Sequence, residues 1–328
     1  MQLRNFLYSC TAVGMGGLFM ATTAQAELVS VSDDVFIDSY SGASSVLVAM
    51  DTNPVTGEYV VCFAEEDSAI KCSRRDADDN GLSNVFFSTG TSGRNIDFNN
   101  LDVALNDAGD VYVMWTGESV SSSDTVAFVQ AFDSSGSDLF NQRETTFGNV
   151  DRASMALTPS AVWILGVTRE VSDIFEVDVT VQAEYFNTGG VSQGTVSIFS
   201  ESYATIAGLT DCQSIDVASN RSGDLVMTWI EPNDDNVIFD GVCTGSVFAQ
   251  TYRESGGSIS DVTQISDTET NDDGDDVSAF FDPVATAYEN GEYVIAWTDG
   301  SEIYSANLAL NGDIATSQES ILSGSSPK

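Results

Sequence analysis

Leu101-Asp102-Val103-Ala104-Leu105-Asn106-Asp107-Ala108-Gly109-Asp110-Val111-Tyr112-Val113-Met114-Trp115 reads as a strand, a tight reversal and a second strand. Apolar residues alternate before the turn and run together after it, as in a strand that becomes buried on both faces. Gly109 supplies the positive φ that such a reversal needs. The same order recurs as Val48-Ala49 with Gly57 and Phe63, Val217-Ala218 with Gly223 and Trp229, and Val284-Ala285 with Gly291 and Trp297. In each copy the aromatic stands six residues after the glycine. A degenerate copy, Met155-Ala156 followed by Val162-Trp163-Ile164-Leu165, fills the interval between the second and fourth.

Outward from the quoted stretch, residues 125–132 and 143–147 read as a third and a fourth strand. Naming the four strands a to d, the c-to-d turns carry Asp133 to Gly136, Asn187 to Gly190, Glu254 to Gly257 and Asn311-Gly312. Five copies of about four short strands each predict an all-β chain, a β-propeller of about five four-stranded blades, with six as the alternative. Residues 27–37, with Val29, Val31, Val35 and Ile37, form a leftover strand expected to close the ring beside residues 320–322. Antiparallel order puts the a-to-b and c-to-d turns on one rim and the longer b-to-c and d-to-a loops on the other.

The repeat resembles those of secreted bacterial β-propeller proteins, in which D-V-A, a glycine turn and V-x-W precede a strand ending in F-D-x-x-G. Here those residues are Asp102-Val103-Ala104, Gly109, Val113-Met114-Trp115 and Phe132-Asp133-Ser134-Ser135-Gly136. The resemblance spans nearly all of the chain after residue 26 and implies fold and secretion, not an activity.

Residues 1–26 combine a basic start at Arg4, an apolar run and Ala24-Gln25-Ala26, the pattern of a signal peptide cleaved before Glu27. Residues 27–328 are then expected to form a single domain, exported to the periplasm or the medium, with no membrane insertion. Fifty acidic side chains against 11 basic ones give a formal charge of -39, which repels nucleic acid and anionic lipid. The plain reading of that charge is solubility in a saline medium. The sequence has no histidine, so histidine-based triads, histidine-ligated zinc and imidazole acid/base chemistry are excluded. Four cysteines follow residue 26, and an even number in an exported chain predicts two disulfides, Cys62 with Cys72 and Cys212 with Cys243.

The insertions fall on the rim of b-to-c and d-to-a loops, where a repeat scaffold carries its binding surface. There, Asp267, Glu269, Asp272, Asp273, Asp275 and Asp276 surround Gly274 and are candidate oxygen ligands for Ca²⁺, although their spacing is not that of an EF-hand. The run beginning Asp76-Ala77-Asp78 and ending Asn80-Gly81 has the opening of a calcium loop, but Phe87 stands where the bidentate glutamate belongs, so it reads as an Asx/Gly turn. Asn100, Asp151 with Arg152, Asp211 and Asp282 open the a strands and are expected to ring the axis. Asp151, Asp211 and Asp282 are thereby candidate catalytic carboxylates of a glycosidase-type site. Trp115, Trp229 and Trp297 are expected in the core between blades, with Tyr40, Phe98 and Phe281 nearer the rim as candidates for sugar stacking. The function expected first is a secreted binding module for a glycan or an extracellular partner, assisted by Ca²⁺. A glycoside hydrolase or lyase using axial carboxylates, and a structural or adhesive surface protein, are the alternatives.

Overall fold

The computed structural model describes residues 47–53, 55–65, 69–78, 80–82, 100–119, 121–173, 176–204, 214–232, 245–267, 280–288, 291–299 and 301–323. The chain divides into two compact units, Met1–Tyr40 and Ser41–Lys328, and every described residue belongs to the second. The expected signal peptide and the expected strand at residues 27–37 lie outside the described residues.

Among the described residues there are five antiparallel sheets and no helix, and the sheets are the blades of a β-propeller. The first blade comprises β1 (Leu47–Thr52), β2 (Tyr59–Glu65) and β3 (Ala69–Arg75); its expected fourth strand falls outside the described residues. The second comprises β4 (Leu101–Leu105), β5 (Val111–Glu118), β6 (Thr125–Phe132) and β7 (Asp138–Glu144). The third comprises β8 (Val150–Leu157), β9 (Ala161–Asp173), β10 (Glu176–Asn187) and β11 (Ser192–Ala204). The fourth comprises β12 (Ile215–Ser219), β13 (Asp224–Pro232), β14 (Gly245–Arg253) and β15 (Thr263–Gln264). The fifth comprises β16 (Phe281–Ala287), β17 (Glu292–Thr298), β18 (Glu302–Ala309) and β19 (Ile314–Ser323). In each, strands follow chain order from the innermost outward, and the innermost strands β1, β4, β8, β12 and β16 pack in succession. The fourth strand expected at residues 143–147 is instead β7, because Phe132 pairs with Asp138 directly after the Asp133–Gly136 turn.

The core lies between blades. On β5, Val113 and Trp115 pack toward the first blade, whereas Tyr112 and Met114 pack toward the third. Trp115, Trp229 and Trp297 are buried and stack on the aromatic directly across on the third strand of their blade: Phe128 at 5.5 Å, Phe248 at 6.3 Å and Tyr304 at 6.2 Å. In the first blade the same pair is Phe63 and Lys71, with the ammonium 6.0 Å from the ring centroid. The second strands β5, β9 and β13 are buried on both faces over most of their length, while β17 alternates between buried and half-buried. On β1, Val48 and Met50 face away from the second blade and are exposed.

Cys62 and Cys72 are bonded, as expected; they are cross-strand neighbours on β2 and β3 with Cα atoms 4.0 Å apart, both fully buried. Cys212 and Cys243 lie outside the described residues. The segment opened by Asp76 is the expected Asx turn: Asp76 Oδ1 accepts from the N–H groups of Asp78 and Asn80 at 2.9 and 2.8 Å.

Candidate functional site

Strand register decides which side chains share a level around the axis. Leu105 pairs with Val111, Leu157 with Val162 and Ser219 with Leu225, each directly before its turn. Thr52 pairs with Tyr59 and Ala287 with Tyr293 in the same way. Counting back three residues gives one level composed of Ala49, Asp102, Ser154, Asp216 and Val284. Two residues further back lies the mouth of the axis, with Leu47, Asn100, Arg152 and Ser214; in the fifth blade the irregularity between Phe281 and Val284 puts Phe281, paired with Thr298, at this level, and Asp282 lies within the irregularity. Below the Asp102 level, two residues on, stand Asp51, Ala104, Ala156, Ala218 and Thr286.

These levels are tied across the blade seams by side chains. In an antiparallel pair the second strand uses only alternate N–H groups of the first, so the others point to the axis and need acceptors. Asp51 supplies them between the first and second blades, accepting from Thr52 N–H at 2.8 Å and from Leu105 N–H at 2.7 Å. Between the second and third, Asp102 accepts from Val103 N–H at 2.8 Å and Met155 N–H at 2.9 Å. Asp216 accepts from Ala285 N–H of the fifth blade at 2.7 Å and from Ser154 Oγ of the third at 2.7 Å. The unit is one carboxylate that joins its own strand to the next blade's innermost strand.

Enclosure by strand backbone sets the chemistry of these acids. Loss of hydration pushes Asp102 up to about 7, reinforced by the charges of Asp216 and Asp51 and opposed by its hydrogen bonds from Met155 and Val103. Burial also raises Asp51 and Asp216 above the ordinary carboxylate range, against the N–H groups that they accept.

The mouth is polar on three consecutive blades, and Asp282 of the fifth joins it through Ser214. Asn100 accepts from Ala153 N–H at 3.1 Å and donates to the carbonyl of Asp151 at 3.2 Å. Ser214 Oγ donates to Asp282 Oδ1 at 2.6 Å. Asp282 is exposed and has a φ of 46°, and Asn149, just before β8, has a φ of 56°; both are residue types that tolerate the left-handed region. Asp151 accepts a hydrogen bond from Arg169 Nε as an ion pair. Asp151 sits at the irregularity between Val150 and Arg152, which places Arg152, not Asp151, on the level of Asn100.

Of the acids expected at the axis, Asp151 and Asp282 therefore stand at the mouth on different blades, each held by a neighbour, and Asp211 lies outside the described residues. Among the expected calcium ligands only Asp267 is described, its N–H donating to Gln318 Oε1 at 2.9 Å; Glu269, Asp272, Asp273, Asp275 and Asp276 lie outside. No group of three or more acidic or cysteine side chains among the described residues is arranged to hold a metal ion. Phe281 is the first residue of β16, while Tyr40 and Phe98 lie outside the described residues. Sequence reading did not single out Asp51, Asp102 and Asp216 as a set. Two of them precede a Val-Ala pair, but Asp51 follows one, and only the pairing register reveals that all three do the same work.

No family model matches the sequence, and no curated protein matches it. Solved structures align with it at low identity. The polysaccharide lyase Uly1 aligns with a TM-score of 0.50 and 8% identity, over 85% of this chain and 69% of its own. An α-L-arabinofuranosidase of Fusarium graminearum bound to an iminosugar inhibitor gives 0.49 and 11%, over 84% and 80%. The Aleuria aurantia lectin in complex with Fucα1-6GlcNAc gives 0.47 and 11%, over 86% and 80%.

Proposed function

We propose that this protein is an exported binding module that recognises a glycan at the mouth of the propeller axis. The observation that carries the reading is the level of Asn100, Arg152 and Ser214, joined by Asp282 through its hydrogen bond with Ser214, which sets an amide, a cation, a hydroxyl and a carboxylate on consecutive blades around the axis. Alternating donors and acceptors held by a rigid scaffold suit a ligand dense in hydroxyl groups. The carboxylates below are engaged by backbone N–H groups, which favours fixed acceptors over a mobile acid/base pair. Calcium assistance rests on the sequence run from Asp267 to Asp276.

The test is binding of residues 27–328 to a broad glycan array, once with Ca²⁺ and once with chelator. Hits that are lost in Arg152→Ala and Asn100→Ala support the reading, and hits that need Ca²⁺ support its calcium part. Silence in both conditions overturns it in favour of a structural or adhesive role.

A glycoside hydrolase or lyase is the second reading. The left-handed backbone and exposed carboxylate of Asp282 at the mouth favour it, since strained conformations cluster at functional sites. Polysaccharides, the substrate class named for the lyase with this fold, are the first substrates to try. Separate Asp151→Asn, Asp211→Asn and Asp282→Asn variants that keep full turnover would remove those assignments.

A further inference from the structure

We infer that the glycan taken at the mouth is an acidic one, its carboxylate or sulfate received by the Arg152 guanidinium at the foot of a wall raised by the third blade. The inference rests on the glycan reading above and narrows its ligand class.

Arg152 is the mouth residue with hydrogen-bond donors to spare. Asn100 is spent on the seam: its Oδ1 accepts from Ala153 N–H, and its Nδ2 donates to the carbonyl of Asp151 at 3.2 Å and to Thr116 Oγ1 at 3.3 Å. Ser214 gives its hydroxyl proton to Asp282. Arg152 is half-buried, yet among the described residues no hydrogen bond or ion pair reaches its side chain. With 50 acidic side chains against 11 basic ones, an unpaired arginine is unexpected here. Arg74 holds Glu58, Arg143 the carbonyl of Gly190, and Arg169 Asp151. The acids around Arg152 are engaged elsewhere: Asp151 by Arg169, Asp282 by Ser214, and Asp102 and Asp216 by the N–H and O–H groups of the seams. A free guanidinium presents five N–H donors in a planar fork, which matches two oxygens of one carboxylate or sulfate.

Register gives the mouth a tall side next to this cation. β9 continues from Val167, the partner of Arg152, to Asp173, whereas β5 stops at Glu118 after Thr116 and β13 at Pro232 after Ile230. β10 and β11 accompany β9 along this extension, as far as the pairing of Glu176 with Asp173 and Ala204. At about 3.3 Å per residue, the three strands extend roughly 20 Å past the level of Arg152. An oligosaccharide lying across the mouth is thus flanked by sheet on the side where the guanidinium stands. The formal charge of -39 repels anions at long range. Physiological salt screens that field beyond about 8 Å, so the fixed cation decides at contact.

The test is a glycan array printed with oligogalacturonates and sulfated galactans, the methyl-esterified and desulfated counterpart of each, and unrelated neutral glycans. The wild type should bind the acidic members of at least one series at least tenfold more tightly than their neutral counterparts, and Arg152→Gln should bring that ratio below threefold. The series that shows the difference tells carboxylate from sulfate. Hits on neutral sugars alone, or an acidic preference that Arg152→Gln leaves unchanged, overturn the inference while the glycan reading stands. An array without any hit overturns the glycan reading and the inference with it. Should Arg152→Gln not fold, phenylglyoxal labelling of the wild type followed by peptide mass mapping decides: protection of Arg152 by the bound acidic sugar supports the inference, and equal labelling with and without the sugar overturns it.

Discussion

Gly166 stands where three of the other blades place a tryptophan, and the ring of Phe147 occupies the space: a Cβ added to Gly166 would lie 2.4 Å from Phe147 Cε2. Gly166 faces Ala153 on β8 as Trp115 faces Leu101 on β4. The third blade thus fills its aromatic position from the loop that leads into it.

Gly166→Ala should accordingly destabilise the fold by about 1–3 kcal/mol through overpacking, although alanine is normally favoured over glycine in a strand. Phe147→Ala should cost about 3–5 kcal/mol, because the ring is buried. In the Phe147→Ala background the Gly166→Ala penalty should vanish. Urea unfolding of the four proteins in a double-mutant cycle measures the coupling, and additive effects would show that the two residues do not compete for one space.

This pair also shows how far the fold was legible. Glycine turns and apolar alternation place the first strands closely: β4 and β6 have the expected ends, and Cys62 with Cys72 is the expected one of three possible pairings of Cys62. Register was less accessible, because a repeat is aligned by eye on its conspicuous residues. Val48-Ala49 reads as the counterpart of Val103-Ala104, yet the pairing of Thr52 with Tyr59 puts Met50 at the level of Val103. In the fifth blade Val284 stands one residue further from its turn glycine than Val103 does, and Ala285, paired with Ile295, takes that place. Trp163 reads as the recurrent aromatic, but the pairing of Leu157 with Val162 turns it toward the fourth blade, where it packs with Trp229. The axial acids are invisible for the same reason, since each is recognisable only once its level is known.

Arg74 is a second seam between blades that can be probed directly. Its side chain is buried; Nη1 donates to the carbonyl of Ser134 in the second blade at 2.6 Å, and Nη2 donates to Glu58 of the first at 3.1 Å. Arg74→Met should cost about 1.5–3 kcal/mol, the range for hydrogen bonds to a charged group. The ion pair itself adds little, because Glu58 is a quarter exposed and partly screened by water. Arg74→Lys should restore less than half of the loss, as an ammonium on one stem does not reach both acceptors with a planar fork. Thermal unfolding of both variants checks this, and full rescue by lysine would mean that charge alone matters.

Acid should weaken the outer loop of the fifth blade. Asp299 lies between β17 and β18, where burial would raise it, but hydrogen bonds prevail and hold it at about 2. Its Oδ1 accepts from the N–H groups of Glu302 and Ser301 at 2.7 Å each, and its Oδ2 accepts from Tyr304 O–H at 2.8 Å. A carboxylate lowered on folding contributes stability above its ordinary value of 3.8 and loses it as pH falls toward about 2. Asp299→Asn should therefore lower the melting temperature at pH 5 to 7, with the gap to wild type closing as pH drops from 4 to 2. Both proteins can be followed by the same acid titration of circular dichroism and thermal unfolding. A gap that stays constant across that window would assign the effect of Asp299 to the shape of the turn, since asparagine forms similar turns, and not to its charge.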